Sequence, residues 1–364
     1  MADRSRARTR FLHRTPGCGT WASWTSFRRA QGLGRVGRRK ERDGYPRRGR
    51  TVILDGGMGH LLRRNGVEIS GPIGTMERFL GVALANRDQP DLVLESHPQF
   101  LRAGADVITT NTYACVPAAL SSHADDPDRL MVELIEAGGR IAQQAKEIAS
   151  PDRTTTTPVL VAGCLPPLHE TYRPDRVADH AELAAGYRKI VDAVAPYSDV
   201  LLCETMHSVA EGYAAAEAAD RAGLPVWVSY TVDEDGSGRL RSGEEIDDAL
   251  AELSDFENVD AVLLNCSSAP AITAALPLLT QSAPHLRIGV YANGFSEEFR
   301  ASVGDPRADG DYSEYDESLT PGEYARLAED WQRHGTSIVG GCCGVFPEHI
   351  AAVSEKSAST RARS

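Results

Sequence analysis

The chain has 364 residues, of which 41% are hydrophobic and 25% are charged, as in soluble globular proteins. No apolar run approaches the roughly 18 residues of a membrane span, and nothing resembles a secretory signal, so we expect a cytoplasmic protein that contacts no membrane. The seven cysteines show no dense spacing, which favours reduced thiols and metal chemistry over a disulfide framework.

Charge is distributed unevenly along the chain. Residues 1–50 hold 14 Arg and one Lys against three acidic residues, so with a total charge of −12 the remaining 314 residues carry −24. Residues 1–49 show no hydrophobic period, and we expect a disordered Arg-rich extension without catalytic role. A nucleic-acid or targeting arm, or translation from an unused upstream start, are the alternatives. The acidic remainder argues against nucleic-acid binding by the folded part.

From residue 51 onward the sequence becomes regular. Short β-branched runs predict eight strands, at 51–55, 105–110, 158–163, 199–204, 225–231, 259–265, 286–292 and 337–341. Amphipathic stretches predict helices between them, at 128–149, 177–194, 209–222, 243–255, 270–280 and 321–334. This alternation predicts an α/β fold, a (β/α)8 TIM barrel over residues 50–356, followed by a flexible tail at 357–364.

Polar residues follow the predicted strands at their carboxyl ends, where the loops of a (β/α)8 barrel build the active site. They are Asp55, Thr109, Tyr113, Cys164, Glu204, Asn265, Cys266, Asn293, Cys342 and Cys343. We therefore expect these side chains to surround one barrel mouth.

Three cysteines give the strongest chemical signal. Cys266 follows the sixth strand, and the adjacent Cys342 and Cys343 follow the eighth, flanked by glycines that let the backbone leave the sheet. Three thiolates on one Zn²⁺ would leave a fourth coordination position open for an incoming thiol. A vicinal disulfide or unconnected buried cysteines are the alternatives.

Several motifs together resemble the zinc-dependent homocysteine S-methyltransferases, a family that includes S-methylmethionine and betaine enzymes and the homocysteine-binding module of cobalamin-dependent methionine synthase. The resemblance extends from about residue 51 to about residue 355. Its motifs are LDGGMG at 54–59, AGAD at 103–106, TTNTY at 109–113, ET at 204–205, NCS at 265–267, GGCCG at 340–344 and PEHI at 347–350.

The resemblance implies transfer of a methyl group from a small onium donor to the homocysteine thiol, with zinc held by Cys266, Cys342 and Cys343. It also implies that Asp55 and Glu204 bind the homocysteine ammonium, although an Asp before two glycines is equally consistent with a turn or a helix cap. The other implied substrate residues are Gly56 and Gly57, whose N–H groups face the carboxylate, Thr109, Tyr113 near the metal, and Asn265, which orients the metal loop.

The donor side of the site is less defined by sequence. Cys164 stands where the family has a small polar residue, and we expect it to form a pocket wall, with a metal contact as the alternative. The acidic loop 296–320 is interpreted either as a lid that attracts a cationic donor or as a solvated loop. His60 and His207 are interpreted as capping or solvent-facing groups.

We expect S-methylmethionine or S-adenosylmethionine as the donor. Betaine or another onium compound is the enzymatic alternative, and a catalytically idle zinc- and thiol-binding barrel is the alternative from another class of function. A homo-oligomer is possible, and the sequence leaves both the donor and the oligomeric state open.

Overall fold

The protein is described here from a computed structural model that covers residues 45–46, 48–69, 75–149, 157–302 and 313–361. Eight parallel strands form one sheet in the order β1-β8-β7-β6-β5-β4-β3-β2. The strands are Val52–Ile53 (β1), Val107–Thr109 (β2), Leu160–Leu165 (β3), Val200–Met206 (β4), Val226–Tyr230 (β5), Val259–Asn265 (β6), Arg287–Tyr291 (β7) and Ile338–Val339 (β8). A parallel bridge between Leu54 and Val107 joins β1 to β2 and closes the barrel.

Helices cover the outside of the barrel. In the described residues they are Met58–Arg64 (α1), Leu80–Asp88 (α2), Pro90–Arg102 (α3), Pro117–Leu120 (α4), Pro127–Ala149 (α5), His180–Val194 (α6), Val209–Asp220 (α7), Ile246–Leu253 (α8), Ala269–Ser282 (α9), Glu297–Ser302 (α10), Pro321–Arg333 (α11) and Pro347–Arg361 (α12). None of these helices has the length and apolar character that crossing a membrane requires.

The strands are apolar on both faces because one face packs inside the barrel and the other packs under the helices. In β4, Val200 and Leu202 belong to the inner core, whereas Leu201 and Cys203 belong to the outer core. Since side chains alternate along a strand, Glu204 at the end of β4 continues the inward row. The same alternation directs Thr109 of β2, Cys164 of β3 and Asn265 of β6 toward the barrel axis.

The eight predicted strands and the (β/α)8 barrel are confirmed, and each predicted helix is present within a few residues of its expected bounds. The final helix differs from expectation. It continues to Arg361, so the tail predicted at 357–364 begins inside a helix, and Ser357 is buried. Gln332 donates a hydrogen bond to the Ser357 hydroxyl at 3.1 Å, which anchors this part of the helix.

Residues just before β1 close the opposite end of the barrel from the predicted site. The Tyr45 hydroxyl donates to Asp260 at 2.8 Å and accepts from the Trp227 indole N–H at 2.7 Å. Arg50 pairs with Asp106 at 3.2 Å. The folded part of the chain therefore includes Tyr45, which the sequence assigned to the extension. Of the predicted extension, residues 1–44 and 47 lie outside the described residues.

Candidate active site

Three thiols converge at the carboxyl end of the barrel. The Sγ atoms of Cys266, Cys342 and Cys343 all lie within 4.8 Å of one another, and those of Cys266 and Cys343 are 3.6 Å apart. This is too far for a disulfide bond of about 2 Å. It is close to the roughly 3.8 Å expected between two sulfurs that bind one tetrahedral Zn²⁺ at about 2.3 Å. The three residues therefore fit a soft divalent metal in both geometry and donor type.

The vicinal pair is placed by a tight backbone turn after β8. The Cys342 N–H donates to the Ala292 carbonyl at 3.0 Å, which fixes the turn against the end of β7. A side chain at Gly341 would place its Cβ 2.1 Å from the Val345 side chain, so only glycine fits there. The flanking glycines thus allow two successive cysteines to share one site, as the sequence predicted.

Asn265 fixes the backbone that carries the third cysteine. Its Oδ1 accepts from the Ser229 hydroxyl at 2.7 Å and from the Thr205 N–H at 3.0 Å, and its Nδ2 donates to Thr205 Oγ1 at 2.8 Å. Thr205 and Cys266 both adopt a left-handed backbone, with φ of 63° and 48°. Such conformations are costly for these residue types and persist only where the surroundings hold them. Asn265 supplies part of that support.

Cys266 is the thiol that ionises first. Hydrogen bonds from Cys342, then Cys343 and then Tyr172 lower the pKa of Cys266 well below its ordinary value. The hydrogen bond to Cys266, together with burial, raises the pKa of both Cys342 and Cys343. One negative charge is therefore already stabilised at the cluster, and a bound cation would favour ionisation of the other two thiols.

Two buried carboxyl groups face the same end of the barrel. Asp55 accepts hydrogen bonds from the Thr109 N–H at 2.7 Å and from the Thr109 hydroxyl at 3.0 Å. Glu204 accepts from the Cys164 thiol at 2.9 Å. Cys164 is fully buried beside Glu204 and is not part of the thiol cluster, so the metal contact is not observed and its role as a pocket wall stays a prediction.

Burial makes both carboxyl groups weaker acids than usual. Desolvation and, to a smaller extent, the charge of Glu204 raise the pKa of Asp55 to about 8, against the Thr109 hydrogen bonds that lower it. Desolvation also raises the pKa of Glu204 to about 7. Two repelling carboxylates in a dry pocket are suited to a cationic ligand, because a bound cation restores the ionised form of both.

The prediction that the Gly57 N–H group donates a hydrogen bond to the homocysteine carboxylate is wrong. Its N–H group already donates to the Val345 carbonyl at 2.9 Å. A Cβ at Gly57 would lie 2.7 Å from the Cys342 carbonyl oxygen, and one at Gly56 would lie 2.3 Å from the Val345 carbonyl oxygen. Both glycines therefore let the backbone after β1 approach the cysteine turn closely. The carboxylate contact assigned to Gly56 stays a prediction.

The tyrosine that contacts the thiols is Tyr172, which the sequence did not single out. Its hydroxyl lies 2.9 Å from Cys266 Sγ and donates to the Cys266 carbonyl at 3.0 Å. The Tyr113 hydroxyl, predicted near the metal, pairs with the Thr171 hydroxyl at 3.0 Å. After burial, the charge of Cys266 is the next cause of the raised Tyr113 pKa, so Tyr113 lies in the same region. Tyr172 lies in the loop after β3 and reaches across the mouth to the end of β6.

The buried side chains of His207 and Glu211 hold the Tyr172 loop in place. The Tyr172 N–H donates to His207 Nε2 at 2.7 Å, and His207 Nδ1 lies 3.0 Å from the Glu211 carboxylate. Tyr172 itself has φ of 62°, a strained left-handed conformation. The prediction that His207 is a cap or faces solvent is wrong, because it is 1% exposed and supports this loop.

His60 is likewise buried and not solvent-facing. Its Nδ1 lies 2.7 Å from the Tyr315 hydroxyl, and desolvation lowers its pKa to about 4. Tyr315 pairs with Phe295 in an antiparallel bridge, so the end of the predicted 296–320 loop packs against the barrel. Residues 303–312 of that loop lie outside the described residues, and the lid interpretation is untested.

Comparison with known proteins gives a consistent result. Residues 52–357 match the family model of homocysteine S-methyltransferases. The chain is 27% identical over 316 residues to the homocysteine S-methyltransferase of Escherichia coli, covering 84% of this chain and 95% of that protein. It is 32% identical over 319 residues to the methionine synthase of Mycobacterium leprae, covering 84% of this chain but only 24% of that protein.

The solved structures agree with the sequence comparison. The metallated form of the homocysteine methyltransferase MmuM from Escherichia coli superposes with a TM-score of 0.70 at 26% identity. The match covers 85% of this chain and 97% of that one. This chain therefore spans nearly the whole of the Escherichia coli homocysteine S-methyltransferase and about a quarter of the methionine synthase.

Proposed function

Because the chain belongs to the homocysteine S-methyltransferase family, we propose that it is a methyltransferase that moves a methyl group from a small onium donor to the thiol of homocysteine, forming methionine. One observation carries this proposal. Three thiols within 4.8 Å of one another share the barrel mouth with the buried carboxyl groups of Asp55 and Glu204. A thiol cluster and an ammonium site together match the two ends of homocysteine.

We propose zinc as the metal, held by Cys266, Cys342 and Cys343. When bound, it would supply an open position at which the substrate thiol loses its proton and becomes a nucleophilic thiolate. Asn265 and the turn at Gly341 keep the three sulfurs in place, which limits the reorganisation that metal binding requires.

Asp55 and Glu204 would bind the homocysteine ammonium. Their raised pKa values mean that part of the population is protonated at pH 7, and the ammonium favours the ionised form of both. Binding of homocysteine should therefore release protons below about pH 8. Thr109 and Cys164 orient the two carboxylates by donating to them.

In the transfer step, the homocysteine sulfur attacks the donor methyl carbon in line. The new carbon–sulfur bond forms as the bond between that methyl and the onium atom breaks, and the electron pair leaves with the neutral donor product. Opposite charges neutralise in this step, so a water-poor mouth favours it. A thioether or amine leaves without protonation, and no general acid is required.

We propose S-methylmethionine or S-adenosylmethionine as donor, with betaine or another onium compound as the alternative. A catalytically idle barrel that binds zinc and thiols is disfavoured, because Cys266, Cys342, Cys343, Asp55 and Glu204 are all present. We further propose a cytoplasmic enzyme that binds neither nucleic acid nor membrane.

The test is a methyl-transfer assay with purified protein, homocysteine and each donor in turn, with methionine detected by mass spectrometry. We expect turnover with at least one sulfonium donor and none after complete metal chelation. Turnover that survives chelation, or no turnover with any onium donor, would contradict the proposal.

A further inference from the structure

An arginine lies beside the thiol cluster, separated from it by one phenol ring. The Arg241 guanidinium sits over the ring of Tyr172, with its Cζ 4.5 Å from the ring centroid. The hydroxyl of the same ring lies 2.9 Å from Cys266 Sγ. Tyr172 therefore fixes the distance between a cation and the sulfur at which the reaction would occur.

Arg241 is fixed in place and only partly used by its neighbours. Its backbone N–H donates to the Thr231 carbonyl at 3.0 Å. Its side-chain Nη2 donates to the Glu234 carboxylate at 3.3 Å. Its side chain is 22% exposed. Its Nε is buried and has no hydrogen-bond partner among the described residues. Because the ring covers one guanidinium face and Nε is buried, the exposed part of the side chain is what a ligand can reach.

The charge of the mouth explains why an arginine would be needed there. Ionised thiols, Asp55 and Glu204 make the mouth negative, which attracts an onium group but repels any carboxylate on the same donor. Arg241 supplies a positive charge outside the strand ends, at the level of the loops after β3 and β5. A zwitterionic donor could then place its onium toward the sulfur and its carboxylate at the guanidinium.

We propose that Arg241 binds the carboxylate of the methyl donor, and that the enzyme therefore selects onium donors that carry a carboxylate. This inference rests on the proposed function. It assigns Arg241 to the donor and not to homocysteine, because the ammonium site of homocysteine lies at the ends of β1 and β4, whereas Arg241 and Tyr172 project from loops above them.

The experiment compares S-methylmethionine with its methyl ester, which keeps the sulfonium and removes the carboxylate charge. Equilibrium binding of each compound to the metal-loaded protein is measured by calorimetry, followed by kcat/KM with homocysteine. The wild type should prefer the free acid by roughly tenfold to a hundredfold, as expected for charge-assisted hydrogen bonds. Arg241→Gln should lose most of this preference, and Arg241→Lys should keep part of it.

Arg239→Gln is the matched control. Arg239 belongs to the same loop and pairs with Glu245, and its side chain is 48% exposed. Its loss removes the same charge, so the preference for the free acid should be unchanged. Homocysteine affinity should stay within about twofold in all variants, because no variant alters its ammonium site.

Three results would overturn the inference. One is equal binding of acid and ester by the wild type, a comparison that needs no variant to fold. Another is an undiminished preference in Arg241→Gln, and a third is a loss of homocysteine affinity equal to the loss of donor affinity. If the wild type binds neither sulfonium compound yet methylates homocysteine with another donor, the proposed function survives and the role of Arg241 in sulfonium recognition is rejected.

Discussion

Replacing Glu204 by Gln separates substrate recognition from metal binding. Gln has nearly the same shape, and its side-chain oxygen can still accept from the Cys164 thiol that lies 2.9 Å from the native carboxylate. The variant should therefore fold and keep its metal. The change removes the charge that would pair with the homocysteine ammonium.

The expected loss follows from the difference between a charge-assisted and a neutral hydrogen bond. That difference is about 1 to 1.5 kcal/mol, or roughly five- to twelvefold in homocysteine affinity. Because the pKa of Glu204 is about 7, half of the free wild-type protein is protonated there at neutral pH, and the measured contrast should be about twofold smaller. The ratio of wild-type to variant affinity should widen between pH 6 and pH 8.5.

The assay compares homocysteine with 4-mercaptobutanoate, which has the same thiol and carboxylate but no amino group. Wild-type protein should prefer homocysteine, and Glu204→Gln should lose most of that preference while zinc content stays near one per chain. Glu245→Gln, a 51% exposed side chain, is the control. A variant that loses its metal, or that still discriminates fully for the amino group, would refute the role given to Glu204.

Four further predictions concern the metal, the second carboxyl group, the amino end of the barrel and the Arg-rich extension. Cys343→Ala should lose most of its bound zinc together with activity, as measured by metal analysis; retention of both would reject the cluster as the metal site. Since burial raises the pKa of Asp55 to about 8, its stabilising contribution is present below about pH 4 and is lost as the pH rises through 8. The Tm of Asp55→Asn minus the Tm of the wild type should therefore increase as the pH rises from 5 to 9, and the variant should bind homocysteine more weakly. A difference in Tm that does not change with pH would contradict this. Tyr45→Phe should destabilise the fold by about 1 to 3 kcal/mol in denaturant titrations, because the Trp227 N–H loses its acceptor and Asp260 loses one hydrogen bond while it keeps its pairing with Arg287. Removal of residues 1–44 should change neither the Tm nor the turnover rate.

The barrel and the thiol cluster could be predicted because both depend on local patterns. Continuous apolar runs identify strands buried on both faces, and the period of two shows that Glu204 points inward. Cysteines beside glycines at strand ends show where the backbone can bring sulfurs together. These features need no knowledge of how distant loops pack.

The parts that could not be predicted depend on contacts between distant loops. Tyr172 reaches Cys266 only because its backbone is left-handed and because His207 holds it from another loop. The N–H group of Gly57 is taken by Val345, nearly 290 residues later in the chain. A solitary histidine or tyrosine in a polar loop gives no sign of such a partner, so sequence reasoning placed these residues at the surface or overlooked them.

The position of Tyr45 determines where anything attached upstream would emerge. Trp227 and Asp260 lie at the amino ends of β5 and β6, whereas the thiols lie at the carboxyl ends of the strands. A purification tag, fluorescent label or surface tether joined directly to residue 45 would thus meet the barrel at the end opposite the mouth. Immobilisation at that residue should leave the entry of homocysteine and donor free, whereas a probe inserted after β3 or β5 would obstruct it.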